Sequence, residues 1–244
     1  MSHLCLAALL ALSALAVLAE LPRPVAVFAN WSQPPKSAFG ADGALTGYAI
    51  DTAAAVLREA EIEHAFVAAP FPRAFERLKS CDGMMVGVFQ SPERQAVLAF
   101  SDPIVPDRVA LVTRASDPPY ESPEDLNGKS LTYLSSAYFG VDMARFSKAR
   151  VETLSSFELM LKKLIARRTD AVVISPREGI AIAARSAGVP MSMLRIAEQP
   201  LAVVPNHIAV CKGDPALLAL LERVNRAIAR LKANGTFERI MKNY

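Results

Sequence analysis

Short apolar segments alternate with amphipathic segments along most of the chain. Seven short runs of mainly apolar residues predict strands, at 25–29, 65–69, 83–88, 109–113, 131–134, 171–174 and 207–211. Six segments with apolar residues at helical spacing predict helices, at 50–61, 72–80, 138–148, 156–168, 176–187 and 215–234. Strands that alternate with helices are typical of βαβ units, so the pattern predicts an α/β fold with mostly parallel sheets.

One structural unit is repeated along the chain. Each copy consists of a helix, a polar turn with an aspartate, an apolar strand and a Ser-Pro dipeptide, and the two dipeptides are Ser91-Pro92 and Ser175-Pro176. The copies lie about 84 residues apart, and either chance recurrence or a real internal repeat explains them. A real repeat predicts two similar lobes. Each Ser-Pro then follows the carboxyl end of a strand, where open α/β sheets bind ligands.

The first nineteen residues have the composition of an export signal. Residues 4–19 form one apolar run without any charged side chain, and this run is shorter than the roughly 20 residues that a membrane span needs. It ends in Val17-Leu18-Ala19, which suits signal-peptide cleavage before Glu20. We therefore expect a signal peptide at 1–19 and export to the periplasm. Because no Lys or Arg precedes the run, a buried helix and an uncleaved anchor are the alternatives.

Charge and cysteine content narrow the functional classes. The formal net charge is +3, and the Lys and Arg residues are dispersed rather than grouped with aromatic residues, so we expect no nucleic-acid partner. The histidines and cysteines lack metal-ligand spacing, so we expect neither a metal nor another cofactor. Two cysteines, Cys81 and Cys211, remain after cleavage. In an oxidising compartment they could form a disulfide or remain separate buried thiols.

Several motifs, in one order and spacing across nearly the whole mature chain, resemble the family 3 bacterial solute-binding proteins. The matching segments are Gly47-Tyr48-Ala49-Ile50-Asp51, Ser91-Pro92-Glu93-Arg94 with Phe100-Ser101-Asp102-Pro103, Glu124-Asp125-Leu126-Asn127-Gly128-Lys129, Thr169-Asp170-Ala171-Val172-Val173 and Asn234-Gly235-Thr236-Phe237. The resemblance implies a type II periplasmic binding fold with a ligand cleft between two α/β lobes. It also implies a monomer that passes a small solute to the membrane permease of an ABC transporter.

The resemblance also implies a domain division. Proline-marked segments at 103–108 and 202–206 are the expected hinge. We expect residues 20–106 to form the first part of lobe 1, residues 107–204 to form lobe 2, and residues 205–244 to return to lobe 1. If strands 83–88 and 207–211 are antiparallel neighbours in lobe 1, Cys81 and Cys211 meet at the end far from the cleft.

The resemblance implies a set of ligand-binding residues. Arg94 is the residue expected to hold a ligand carboxylate, because its planar guanidinium pairs with both oxygens and stays charged; a surface arginine paired with Asp102 is the alternative. The other expected contacts lie in loops that follow the predicted strands, and they are Asn30, Trp31, Phe71, Gly87, Phe89, Ser136, Tyr138 and Ser175.

Three positions depart from the family pattern. Ser175 stands where an acidic residue commonly binds the α-ammonium group of an amino acid, Phe89 replaces a hydroxyl residue, and Tyr138 replaces a threonine. A buried ammonium group without a carboxylate partner is costly. Our hypothesis is therefore an organic acid or a modified amino acid, aromatic ones included, held by Arg94 and aromatic side chains. Glu178 is a candidate to replace the missing acid.

Two other functions fit the same sequence. A periplasmic dehydratase or similar lyase on this fold could use Glu178 as a general acid, although we expect a binding protein rather than an enzyme. A sensor input module that presents its closed state to a receptor would have the same sequence features.

Overall fold

The computed structural model describes residues 24–120, 123–135, 138, 140 and 143–244. The predicted signal peptide at 1–19 and the predicted site residue Ser136 lie outside the described residues. Within the described ranges, no helix has both the length and the apolar character needed to cross a bilayer.

The described residues alternate strands and helices, as the apolar pattern predicts. The strands are β1 Val25–Ala29, β2 Ala38–Phe39, β3 Leu45–Thr46, β4 His64–Ala68, β5 Met84–Val88, β6 Leu98–Phe100, β7 Pro106–Arg114, β8 Ser130–Leu134, β9 Arg150–Leu154, β10 Ala171–Ile174, β11 Leu194–Ile196, β12 Ala202–Pro205 and β13 His207–Cys211. The α-helices are α1 Tyr48–Glu59, α2 Phe71–Lys79, α3 Pro92–Val97, α4 Phe157–Ile165, α5 Ile180–Ala187, α6 Pro215–Ala233 and α7 Thr236–Met241. Single 3₁₀ turns occur at Pro123–Leu126, Met143–Phe146, Arg177–Gly179 and Met191–Met193.

The first sheet has five strands in the order β4-β1-β5-β13-β6. Strand β1 pairs in parallel with β4 and β5, whereas β13 is antiparallel to β5 and β6. Helices α1 and α6 cover one face with apolar side chains that recur at helical spacing, and α2 packs against the other face. Asp214 caps α6 by accepting hydrogen bonds from two backbone N–H groups, just before Pro215 in the first turn.

The second sheet has six strands, in the order β11-β7-β10-β8-β9 with β12 also paired to β7. Strands β8, β9 and β10 run in parallel, and β7 is antiparallel to its neighbours β10, β11 and β12. Helices α4 and α5 bury one face of this sheet, and a second apolar cluster that includes Leu126 and Phe146 covers the other face. Two sheets with flanking helices therefore form the two-lobed α/β fold that the sequence predicts.

The two proline-marked segments lie side by side where the chain passes between the sheets. Strand β12 is antiparallel to the start of β7, with Pro205 opposite Pro106 and Val204 opposite Asp107. After Pro205 the chain enters β13 of the first sheet. The hinge at 103–108 and 202–206 and the domain boundaries drawn from the sequence remain predictions.

The predicted helix at 138–148 is wrong in its described part, where the structure has only the 3₁₀ turn Met143–Phe146. Gly140 has a φ of 64°, which is incompatible with a continuous right-handed helix. The sequence patterns also missed short or edge strands, which have too few alternating apolar positions to stand out: β2, β3, β6, β9, β11 and β12. The helix predicted at 176–187 divides into a 3₁₀ turn and α5.

A disulfide joins Cys81, just before β5, to Cys211 at the end of β13. Antiparallel pairing of these strands places the two cysteines at one end of the first sheet. Phe89 follows the opposite end of β5. The arrangement is the one expected from the strand order.

Candidate functional site

A cavity of about 380 Å³ lies where the parallel strands of both sheets reach their carboxyl ends. Loops after β1, β4 and β5 line it from the first sheet, and loops after β8, β9 and β10 line it from the second. Its size lies within the range usual for small-molecule sites. Of the nine ligand-binding residues predicted from the sequence, eight line this cavity: Asn30, Trp31, Phe71, Gly87, Phe89, Arg94, Tyr138 and Ser175.

Arg94 is held in the cavity by the start of α3. Ser91 caps this helix, and its hydroxyl accepts a hydrogen bond from the backbone N–H of Arg94 at 3.3 Å. The guanidinium donates from Nη1 to the carbonyl oxygen of Phe89 at 2.9 Å. The Ser91 hydroxyl therefore holds the backbone of Arg94, and the Phe89 carbonyl holds its guanidinium.

Aromatic rings from both lobes surround the Arg94 guanidinium. Its Cζ lies 4.9 Å from the ring centroid of Phe71 and 5.9 Å from that of Phe75, both on α2. Tyr138, which follows β8 of the second sheet, also lies 5.9 Å away. Cation–π contacts of this kind hold a guanidinium while leaving its N–H donors available. Arg94 thus joins surfaces that belong to different lobes.

The Arg94 guanidinium has no carboxylate partner among the described residues. Asp102, the alternative partner, forms no ion pair with Arg94 in the described part of the chain. Its backbone N–H donates to the side-chain oxygen of Asn225 at 2.7 Å. Burial lowers the pKa of Arg94 from its usual value, partly opposed by nearby Tyr138 and Glu93. A half-buried, unpaired guanidinium in a cavity is suited to binding an anion.

Trp31, Phe71 and Asn30 make different contacts in the cavity wall. Trp31 is 40 % exposed and lies against Phe39 with ring centroids 5.6 Å apart, so it forms part of the rim. Phe71 stacks on Phe75 at 5.8 Å with nearly parallel rings. The side-chain oxygen of Asn30 accepts a hydrogen bond from the Ser32 hydroxyl at 3.0 Å. Trp31 and Phe71 therefore both line the cavity, while Phe71 also supports Arg94.

Lys36 lines the same cavity, and sequence reasoning missed it. The loop that carries it is docked on the start of α1, where the Tyr48 and Ala49 backbone N–H groups donate to the carbonyls of Pro35 and Lys36. Gly47 has a φ of 126°, and a Cβ atom there would lie only 2.4 Å from the Lys36 carbonyl oxygen. Glycine is therefore required where this loop meets α1.

The Lys36 ammonium group forms an ion pair with Asp107 on β7. Lys36 Nζ lies 3.0 Å from Asp107 Oδ2, and the side chains are only 4 % and 1 % exposed. Tyr48 and Asn206 both donate to Asp107 Oδ1 at 2.5 Å. Burial lowers the pKa of Lys36, opposed by Asp107, and burial together with the Asp107 charge raises the pKa of Tyr48. The carboxylate is thus fully engaged by donors from several parts of the chain.

Gly87 and Phe89 shape the channel through which Lys36 reaches Asp107. Gly87 has a φ of 76°, and a Cβ atom there would lie 2.9 Å from Cε of Lys36. The Lys36 ammonium lies 4.2 Å from the ring centroid of Phe89. The sequence suggested that Gly87 allows a close approach of the ligand to the backbone. In the structure, the neighbour that Gly87 accommodates is Lys36.

Ser175 and Glu178 differ in their relation to the cavity. Ser175 is buried in the cavity wall, and its hydroxyl lies 3.5 Å from Asp107 Oδ2. Glu178 is not among the lining residues, and its carboxylate accepts hydrogen bonds from Nε of Arg108, at 2.9 Å, and from Nη2. The structure therefore does not support Glu178 as a replacement for the missing acid at Ser175.

The sequence prediction also missed several hydroxyl side chains that line the cavity. Ser135 and Ser155, which follow β8 and β9, line the cavity, as does Ser37 next to Lys36. The Ser37 hydroxyl is buried and has no hydrogen-bond partner within the described ranges. A hydroxyl in a polar cavity gives no sequence signal of its own. The part of the chain that the structure describes contains no cluster of acidic, histidine or cysteine side chains able to hold a metal.

Comparisons with known proteins agree with the fold. The chain is 24 % identical over 240 residues to the histidine-binding periplasmic protein of Escherichia coli K12, covering 95 % of this chain and 91 % of that protein. It is 23 % identical to the lysine/arginine/ornithine-binding periplasmic protein of the same strain, covering 93 % and 89 %. An ancestral arginine-binding protein solved with arginine bound is 25 % identical, with a TM-score of 0.75 and coverage of 91 % and 98 %.

A family model gives the assignment directly. The model for bacterial extracellular solute-binding proteins, family 3, matches residues 25–244, which include both sheets and every described residue that lines the cavity. The chain therefore belongs to the family 3 bacterial extracellular solute-binding proteins.

Proposed function

We propose that this protein captures a small carboxylate-bearing solute in the cleft between its lobes and delivers it to an ABC transporter permease. The proposal rests mainly on Arg94, a half-buried guanidinium in the cavity that has no carboxylate partner within the described ranges. Its planar N–H donors match a carboxylate. Relatives named as periplasmic binding proteins support the same class of function.

Closure around the ligand would couple binding to delivery. Residues 20–106 and 205–244 would form one lobe and residues 107–204 the other, with β7 and β12 in the hinge region. A ligand held between Arg94 of the first lobe and Tyr138 or Ser175 of the second favours the closed state, because only that state provides all the contacts. The closed protein, acting as a monomer, is the form that a permease would recognise. Export would depend on residues 1–19.

The proposed role is binding rather than catalysis. The lyase alternative depended on Glu178 as a cleft acid, but this carboxylate is paired with Arg108. Relatives in the comparisons are named as binding proteins. A bound solute should therefore be recovered unchanged after release, which mass spectrometry of the eluted compound can test.

A ligand screen tests the proposal. Purified protein would be heated with amino acids, 2-oxo acids, 2-hydroxy acids, aromatic acids, dicarboxylic acids and polyamines. A compound at 100 times its Kd stabilises the folded state by about 2.7 kcal/mol, which raises Tm by roughly 5–10 °C for a chain of this size. Small-angle scattering should then show a smaller radius of gyration with the active compound. If no carboxylate-bearing compound shifts Tm while polyamines do, the proposal is wrong.

A further inference from the structure

The cavity has an excess of positive charge. Lys36 and Arg94 are the charged side chains that line it, and no Asp or Glu is among its described lining residues. Asp107 lies behind the wall and pairs with Lys36. Two cations and one anion leave a net charge of about +1 around the cavity. Burial reduces solvent screening of such a charge, so the site favours an anionic ligand over a zwitterion or a cation.

Lys36 also has unused hydrogen-bonding capacity. An ammonium group has three N–H donors, and within the described ranges Lys36 Nζ makes one hydrogen bond, to Asp107, together with its contact to the Phe89 ring. The remaining Lys36 N–H donors can therefore be satisfied by an oxygen atom of a ligand in the cavity.

Lys36 and Arg94 are close enough to act on one small ligand. Both flank Phe89: the Arg94 guanidinium donates to its carbonyl oxygen, and the Lys36 ammonium lies over its ring. A ligand whose carboxylate pairs with Arg94 would present its second polar group to the wall formed by Lys36, Ser37 and Ser175. An ammonium group at that point would be repelled by the Lys36 ammonium, whereas an oxygen atom would accept a hydrogen bond from it.

From this arrangement, and resting on the proposed binding function, we propose that the Lys36 ammonium takes the place that the ammonium group of a bound amino acid would occupy. Lys36 thereby selects carboxylic acids that carry a second oxygen acceptor and no ammonium group. The class comprises 2-oxo acids, 2-hydroxy acids and dicarboxylic acids. Asp107, which would otherwise attract a ligand ammonium, is neutralised internally by Lys36. Burial lowers the pKa of Lys36, and a negatively charged ligand nearby would oppose this lowering.

Matched sets of compounds test the selectivity in the wild-type protein. Protein purified from cells that express the full chain is titrated calorimetrically with glutamate, 2-oxoglutarate and 2-hydroxyglutarate, and with phenylalanine, phenylpyruvate and phenyllactate. Within at least one set, the oxo or hydroxy acid should bind at least tenfold more tightly than the amino acid. Equal or tighter binding of the amino acid in every set that binds would overturn the role of Lys36.

The substitution Lys36→Met tests the mechanism. Removal of the ammonium group leaves Asp107 Oδ2 without its cation and next to the cavity, so this variant should lose at least tenfold in affinity for the oxo or hydroxy acid and gain affinity for the matched amino acid. The double variant Lys36→Met/Asp107→Asn should lose the first affinity without gaining the second. Unchanged selectivity in both folded variants would contradict the inference.

The outcomes distinguish this inference from the proposed function. Arg94→Met should weaken binding of every compound in each set by at least a hundredfold, because both classes of ligand use the carboxylate anchor. If wild type binds amino acids through Arg94 and discriminates against oxo acids, the solute-binding role stands and the inference about Lys36 fails. If no carboxylate binds to wild type, both fail together. If Lys36→Met does not fold, as judged by circular dichroism, the matched wild-type titrations still decide the question.

Discussion

Lys36, in the loop after β1, and Asp107, at the start of β7, form a buried ion pair between parts of the chain that belong to different sheets. Their charged atoms are 3.0 Å apart, and the residues are separated by 71 positions in the sequence. Two further donors, Tyr48 and Asn206, complete the environment of the Asp107 carboxylate. The pair therefore links the wall of the cavity to strand β7.

We expect Asp107→Asn to destabilise the protein strongly. It leaves the Lys36 ammonium buried without its carboxylate partner, and loss of one member of a buried pair typically costs about 3–5 kcal/mol. Urea unfolding monitored by circular dichroism measures the change. The variant Lys36→Met/Asp107→Asn should recover much of the loss, because no unpaired charge remains. As a surface control, Asp82→Asn removes an exposed ion pair with Arg77 and should cost at most about 1 kcal/mol.

Arg94→Met should weaken binding of the most strongly bound acid by at least a hundredfold, or about 2.8 kcal/mol, because a charged hydrogen-bonding group is lost from the carboxylate site. Arg94→Lys should recover only part of the affinity, since an ammonium group cannot reproduce the bidentate geometry. Isothermal titration calorimetry gives both values. Arg77→Met, which removes an exposed arginine of α2, is the matched control. Wild-type affinity in Arg94→Met would show that the cavity binds its ligand differently.

The disulfide between Cys81 and Cys211 predicts that the mature protein has no free thiols. Cys5 lies in the predicted leader, so these two cysteines are the ones left after cleavage. Thiol titration of the unfolded, unreduced protein should therefore give a value near zero, and two reactive thiols per chain would rule out the bond.

Reduction, or the double substitution Cys81→Ser/Cys211→Ser, should lower the free energy of unfolding by about 2–5 kcal/mol, because the crosslink restricts the unfolded chain. Ligand affinity should change little, since the bond lies at the end of β5 opposite the cavity. The comparison of denaturant unfolding with calorimetric titration separates the two effects. A loss of affinity equal to the loss of stability would contradict this separation.

Protonation of His207 should destabilise the fold. Its Nδ1 lies 2.7 Å from the Ser101 carbonyl oxygen and must donate to it, while Nε2 is buried without a partner within the described ranges. Burial lowers the pKa of His207, partly opposed by the Ser101 carbonyl and Asp102. The unfolded chain therefore takes up a proton at a higher pH than the folded chain does. Stability should fall as the pH drops from about 6.5 towards the lower folded pKa.

Thermal unfolding between pH 7.5 and pH 5 tests this expectation. His207→Asn keeps a donor near the Ser101 carbonyl and removes the titrating group, so its Tm should fall less over this range than that of the wild type. His64→Asn is the control for replacing a different histidine, and its Tm should depend on pH as that of the wild type does. Parallel pH profiles for wild type and His207→Asn would show that His207 does not cause the pH dependence.

Much of the fold and a large part of the candidate site could be predicted from the sequence. The apolar runs predicted the central strands, including β1, β10 and β13 with their observed bounds. The resemblance to the family 3 proteins named Arg94, Phe71 and Tyr138 before their contacts were known. The structure brings them together because residues that follow the carboxyl ends of parallel strands meet at one edge of a sheet. Edge strands and the loop at Gly140 were missed because their local patterns are weak.

What the sequence by itself determined is therefore the α/β architecture, since local periodicity and ordered motifs encode it, whereas it left open whether Cys81 and Cys211 are bonded. Only the tertiary structure decided the charge of the cleft. A lysine that follows Pro34-Pro35 looks like an exposed loop residue, and its burial depends on Gly47, Gly87 and a distant aspartate. Contacts between residues so far apart in the chain leave no local signal, because burial and pairing are properties of the folded arrangement.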